Sequence, residues 1–324
     1  MQNVKPSEVI VHDEKADPND LRLRNIMENY RDGVMYDVGL IGVPFDYGVK
    51  LSNGRVGAKL GPDAFRKALK RYGTTYNIEN KIDISGLKIC DFGNVDVVDN
   101  DSSETHMRVS SVVSEVLKTG AVPVIIGGGH DISFADVRGL CMASGGHIGG
   151  INIDAHFDVR EVRDGNISSG TPFRRVIEEL DGRIDGRNFV ELGAHDNLNS
   201  KAHHGYLESK GVNVITLDDM RLAGIDDAIG GALKAACTET EAAFLSIDMD
   251  AMQGSAAPGC SAPSPRGVSP DEIVRAAFEC GVNGKVKMLD IMELNPEYDT
   301  NEMTAILAVT IFVGFLNGFS RRKS

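Results

Sequence analysis

From about residue 37 onward, short apolar runs alternate with longer segments of helical periodicity. Residues 37–45, 121–129, 149–154, 188–194, 212–218, 242–250 and 285–296 are rich in Val, Ile and Leu, and most close on Gly, Asp or Asn. Each reads as a strand buried on both faces. Between them, residues 61–73, 102–120, 169–182 and 269–281 read as helices. The first of these opens on Gly-Pro and stops at Gly73, and the last carries Ser269 and Glu272 in the capping-box arrangement. Such alternation predicts a single doubly wound α/β domain over residues 37–324, a mainly parallel sheet with helices on both faces. Residues 1–36 form an N-terminal extension to it. No low-complexity linker, change of composition or internal repeat divides the chain.

Residues 305–316 carry no charge. A helix needs about 20 such residues to cross a bilayer, so this stretch predicts a buried C-terminal helix. The 324 residues are enough to bury a sizeable core unaided, which excludes a small stapled fold. Thirty-four Lys and Arg against 47 Asp and Glu leave a formal net charge of -13, a sign that repels phosphate backbones and anionic membranes. Neither nucleic acid nor a membrane is therefore expected as a partner. The five cysteines are scattered and never form CxxC, and the first twenty residues hold no apolar leader. Free thiols in a reducing, cytoplasmic setting are the expectation.

Three strand ends carry the chemistry. His130 follows a triple Gly and precedes Asp131 and Ser133; Asp154, His156, Asp158 and Arg160 are spaced by two; so are Asp248 and Asp250. On an extended backbone, side chains two apart point to one face, and ligands of doubly wound sheets bind outside the carboxyl ends of the strands. Asp131 reads as the N-cap of the following helix. Four carboxylates and two imidazoles exceed what a single ion needs. Asp154 and Asp248 are placed to bridge two ions, with His130 and Asp158 completing one sphere and His156 and Asp250 the other. One nitrogen and several oxygens per ion suit six-coordinate Mn²⁺ rather than tetrahedral Zn²⁺. Without metal, converging carboxylates repel and are desolvated, and some must protonate.

These residues match a family pattern. GGGHD at 127–131, DAHFD at 154–158 and SIDMD at 246–250, with an APG loop after it, resemble the ureohydrolases: arginases, agmatinases and formimidoylglutamases. The resemblance extends to GVPFDYG at 42–48, GAKLGPDAFR at 57–66, APGCSAPSPRG at 257–267 and DIMELNP at 290–296. It implies an arginase-like three-layer sandwich and hydrolysis of a C–N bond in an amidine or guanidine. It also implies two Mn²⁺ per chain on His130, Asp154, His156, Asp158, Asp248 and Asp250, with a hydroxide bridging the ions as nucleophile. In the same terms Glu293 holds the cationic nitrogens of the substrate, and Asp158 or Asp250 carries a proton to the leaving amine. Trimers and hexamers occur in the family, so a homo-oligomer is expected.

Residues 168–175, SSGTPFRR, separate the relatives. Arginases have a His in this region and agmatinases typically show His-Gly-Thr, whereas this chain has Ser169-Gly170-Thr171. DAHFDVR together with SSGTPFR resembles formimidoylglutamase, which implies N-formimidoyl-L-glutamate as substrate and L-glutamate and formamide as products. Phe173 reads as a packing residue. A substrate with two carboxylates calls for cations, and Arg160, Arg174 and Arg55 are the candidates, with Asn197 and Asn199 for the amino-acid end. His195 reads as a loop histidine of no special role, with a proton shuttle as its alternative. Two other readings stay open: an agmatinase or guanidino-acid ureohydrolase, and a catalytically silent regulatory relative. Lost ligands would mark the latter, and none is lost.

Overall fold

Apolar runs without alternation demand burial on both faces, and the computed structural model, which describes residues 1–322, meets that demand with one large sheet. Its early strands are β1 (Val4–Lys5), β2 (Met27–Asn29), β3 (Val38–Gly42), β4 (Tyr76–Asn77), β5 (Ile82–Asp83) and β6 (Ile89–Val95). There follow β7 (Val122–Ile126), β8 (Ile148–Ile153), β9 (Phe189–Ala194), β10 (Asn213–Thr216), β11 (Ala242–Asp248) and β12 (Val286–Met292). The order across the sheet is β1-β6-β3-β7-β12-β11-β8-β9-β10; β2 also pairs with β6, and β4 and β5 form a separate hairpin. Every pairing in the large sheet is parallel except β1 with β6. Residues 1–36 thus add two short strands to one edge of the sheet.

The helices are α1 (Leu23–Ile26), α2 (Tyr47–Leu51), α3 (Gly61–Arg71), α4 (Ser102–Lys118), α5 (Ile132–Ala143) and α6 (Pro172–Glu178). The later ones are α7 (Lys201–Lys210), α8 (Leu217–Ala223), α9 (Ile225–Cys237), α10 (Pro270–Val282) and α11 (Met303–Phe319). Ser269 and Glu272 form the capping box of α10 that their spacing predicts. Successive strand residues feed opposite layers: Leu245 and Ile247 meet α3, α9, α10 and α11 on one side, while Phe244 and Met288 meet α4, α5 and α6 on the other. The apolar C-terminal stretch is α11, buried along most of its length. It lies so close to α10 that a Cβ on Gly318 would sit 2.0 Å from the carbonyl oxygen of Phe278. Among the described residues no helix is long and apolar enough to cross a membrane.

All seven strands expected from the sequence form, and β6 is one that the expectation lacks. Its residues ICDFGNV include Asp91, Gly93 and Asn94, residue types depleted in strands. Arg66 on α3, 1% exposed, makes them acceptable there by donating to both carboxylate oxygens of Asp91 at 2.8 Å and to Asn94 at 2.7 Å.

Candidate metal centre

The three acidic clusters converge at the carboxyl ends of β7, β11 and β8, and Glu293 follows β12 between them. These four strands are neighbours in the order β7-β12-β11-β8, although β7 and β8 are consecutive in the chain. That break in winding opens the crevice in which a doubly wound fold binds its ligand. Strand alternation does not do the aiming, contrary to the extended backbone expected. β8 ends at Ile153, before the first of its acidic residues, and Asp158 has a φ of 47°. Asp248 ends β11, and Asp250 lies in a single turn of 3₁₀ helix. Two similar turns take over: Asp154 Oδ1 accepts the N–H of His156 at 2.8 Å, and Asp248 Oδ1 accepts that of Asp250 at 2.7 Å. Each first aspartate therefore fixes the loop that carries the second.

Ligand atoms of His130, Asp154, Asp158 and Asp248 lie within 4.8 Å of one another, as do those of Asp154, His156 and Asp250. Asp154 belongs to both groups. His130 Nδ1 stands 3.2 Å from Asp154 Oδ2, 3.1 Å from Asp158 Oδ2 and 3.0 Å from Asp248 Oδ2. His156 Nδ1 is 3.5 Å from Asp154 Oδ1 and 3.4 Å from Asp250 Oδ1. His130 Nδ1, Asp154 Oδ2 and Asp250 Oδ1 are buried without a hydrogen-bond partner. Buried acceptors crowded this closely, and lacking donors, fit cations. Burial and like-charge neighbours push the carboxyls of Asp158, Asp248 and Asp250 up. Asp154 is held well below the usual range because, against its burial, both imidazoles favour its anion. Carboxylates in turn raise His130 and His156 although burial opposes it.

Glu293 is 2% exposed and adopts a φ of 61°. Its Oε1 accepts the backbone N–H of His130 at 2.9 Å, while Oε2 has no partner. Burial and Asp248 push its carboxyl up to about 8. The triple Gly before His130 packs against the loop after β3, and a Cβ on Gly128 would lie 1.7 Å from the Phe45 carbonyl oxygen.

Asp131 makes no N-cap bond. Its carboxylate is fully buried and takes the Nε2–H of His106 on α4 at 2.9 Å, and Arg175 donates to the other ring nitrogen at 3.2 Å. A donor on Nδ1 leaves the His106 proton on Nε2. The spacing of residues 130–136 holds no signal of this pair, because its partners come from α4 and α6.

The three candidate arginines divide. Arg55 donates to the carbonyl oxygens of Cys260 and Ser261 and lies 4.1 Å over the ring of Tyr298, so it ties two loops together. Arg174 pairs with Glu161 and Glu178 and stacks 4.3 Å from Tyr206. Arg160 is exposed, lies against Gly170, and lines a cavity of about 560 Å³ with Arg174, His203 and Tyr206. Among the described residues it has no carboxylate partner. Asn199 is a bracket: it accepts the N–H of Phe157 and donates to the carbonyls of Ala155 and His195. Asn197 stands on the surface. His195 is buried with Nε2 unpartnered, and burial and His156 push its imidazole down. Phe173 is fully buried, its ring edge-on to His130 at 5.2 Å. His203, beside Arg160 and Asp158, is a residue of the rim that no motif marks.

A family model described as "Arginase family" matches residues 36–317. A formimidoylglutamase of Halalkalibacterium halodurans is 32% identical over 290 residues, 89% of each chain. Among solved structures, Trypanosoma cruzi formiminoglutamase with Mn²⁺ superposes with a TM-score of 0.88 at 34% identity, covering 94% of this chain and 100% of that one. Formimidoylglutamase from Bacillus subtilis superposes with a TM-score of 0.89 at 29% identity, covering 96% of this chain and 95% of that one.

Proposed function

Because the chain belongs to the arginase family, we propose that it is a binuclear manganese hydrolase that cleaves N-formimidoyl-L-glutamate into L-glutamate and formamide. The observation that carries this reading is the pair of ligand groups sharing Asp154, with orphaned acceptors in each. His130, Asp154, Asp158 and Asp248 would hold one Mn²⁺; His156 and Asp250, with Asp154 and Asp248 shared, would hold the other. Bound there, the ions supply Lewis acidity and an activated water at neutral pH. Glu293 Oε2 is the free acceptor beside them, and an amidinium N–H meets it as a charge-assisted bond that orients the planar cation for attack. Asp158 or Asp250 would carry a proton to the departing amine of glutamate. On the rim, Arg160, which has no carboxylate partner among the described residues, would meet a substrate carboxylate, which favours this anionic amidine over cationic agmatine.

The five cysteines stand free, which fits a reducing compartment and a cytoplasmic enzyme. The family resemblance supports a trimer or hexamer, to be measured by light scattering on the purified protein.

The deciding experiment compares N-formimidoyl-L-glutamate, L-arginine and agmatine with the Mn²⁺-loaded protein, alongside elemental analysis. Two Mn²⁺ per chain and turnover confined to the formimidoyl substrate are expected. Preference for agmatine, or a protein that takes up no Mn²⁺, would overturn the proposal.

A further inference from the structure

A polar row crosses the sheet just behind the ligands. Asp290 on β12 is in register with Ser246 on β11, Ser246 with Asn152 on β8, and Asn152 with Glu191 on β9. None of the four is more than 1% exposed. In the middle of a sheet this hydrophobic such groups are costly, so their bonds bear on what they do.

The bonds fix the direction of each proton. Asp290 Oδ1 accepts at 2.6 Å from the Ser246 hydroxyl, which has a single proton to give. Ser246 Oγ is thereby left as an acceptor, and His130 Nε2 lies 3.0 Å from it. That nitrogen must carry a proton. Ser133, at 3.3 Å, is the second donor to the same oxygen. The opposite ring nitrogen, Nδ1, faces Asp154, Asp158 and Asp248 and has no hydrogen-bond partner.

We propose that Asp290, acting through Ser246, is a positioning residue that holds a proton on His130 Nε2, so that Nδ1, among the three carboxylates, is the nitrogen that exchanges its proton for a cation. Without the relay the imidazole proton is free to settle on Nδ1, where those carboxylates attract it. Outer partners of this kind orient a ligand imidazole and raise its basicity. Among the described residues His156 has no such support: its side chain is 25% exposed. The relay therefore acts on one of the two ligand groups. This inference rests on the metal-centre reading above and deepens it.

The test titrates Mn²⁺ into metal-free wild type and Ser246→Ala, following free Mn²⁺ by its EPR signal. Wild type is expected to take up two ions per chain. The variant is expected to bind one of them about 10–100-fold more weakly and to leave the other nearly unchanged. In ¹⁵N-histidine-labelled metal-free protein, the His130 Nε2–H is expected to exchange slowly in wild type and quickly in Ser246→Ala. Asp290→Asn keeps the shape of the site and still accepts from Ser246, but without charge; it is expected to retain the slow proton and to lose affinity for the same ion. It also serves as the comparison should Ser246→Ala fail to fold. Unchanged affinities in the variants overturn the relay and leave the metal centre standing. So does an equal loss at both ions with a lowered melting temperature of the metal-free protein, which would mark a structural role. A wild type that takes up no Mn²⁺ overturns the metal centre itself.

Discussion

Asp136 on α5 has both carboxylate oxygens buried and neither hydrogen-bonded. Burial and the neighbouring Asp290 push its carboxyl well above the usual range. The folded chain thus keeps a proton there that the unfolded chain gives up above about pH 4. The stability this contributes is full below that pH and is lost as pH rises toward the folded value. Asp136→Asn removes the loss, and denaturant melts are expected to show it more stable than wild type by about 1–3 kcal/mol at pH 8, with a smaller gap at pH 5. Equal stability at both pH values would mean that Asp136 has a partner after all. Arg160 gives a second test at this scale. An unpaired guanidinium forming a charge-assisted bond with a substrate carboxylate contributes about 1.5–3 kcal/mol, so Arg160→Ala is expected to lower kcat/KM for N-formimidoyl-L-glutamate about 10- to 100-fold with metal content unchanged. Full efficiency, or lost manganese, would remove it from the substrate contacts. The acidic clusters were legible because each sets its carboxylates and imidazoles two residues apart at the end of an apolar run. The pairs His106–Asp131 and Ser246–Asp290 were not, since each joins residues 25 or more apart through packing that no local spacing encodes.

Among the elements, the turn from β7 into α5 has the least freedom, because it brings His130 to the carboxylates while passing against the Phe45 carbonyl. A methyl at Gly128 must push one loop off the other. Gly128→Ala is expected to lower stability by about 1–3 kcal/mol and to weaken Mn²⁺ uptake, read by melting and by elemental analysis after dialysis. Unchanged Mn²⁺ content would show that the turn adapts. The strands at the centre of the sheet were readable because both faces are apolar, as in β11 and β12. β6 was not, because the arginine that makes Asp91 acceptable inside the fold comes from α3. The reason given for convergence also failed at this scale: two side-chain-to-backbone turns, at Asp154 and Asp248, replace the strand alternation that the two-residue spacing implied.

Over the molecule as a whole, the metal centre concentrates charge that folding must accommodate. Burial pushes up Asp158, Asp248 and Glu293, and carboxylates push up His130 and His156 against their burial. Every one of these shifts has the same sign, so the metal-free protein loses stability as pH rises from about 5 through the folded values, Glu293 near 8 among them. Asp154 runs the other way but acts only below about pH 4. Mn²⁺ binds the deprotonated ligands, so its stabilisation grows over the same interval. The melting-temperature gap between loaded and chelator-treated protein is therefore expected to widen from pH 5.5 to pH 8. A constant gap would count against the carboxylates and imidazoles as ligands. The strand order reaches further, into how the chain is made. β7 and β8 are consecutive, yet the two places between them in the sheet belong to β11 and β12, which are made after both. Until Met292 has emerged, the nascent chain holds two half-sheets whose facing edges are bare, each a template for mispairing with a neighbour. His130 and Asp154 wait on opposite sides of that gap. Any ion held between them is then expected to bind only once β11 and β12 have closed the sheet.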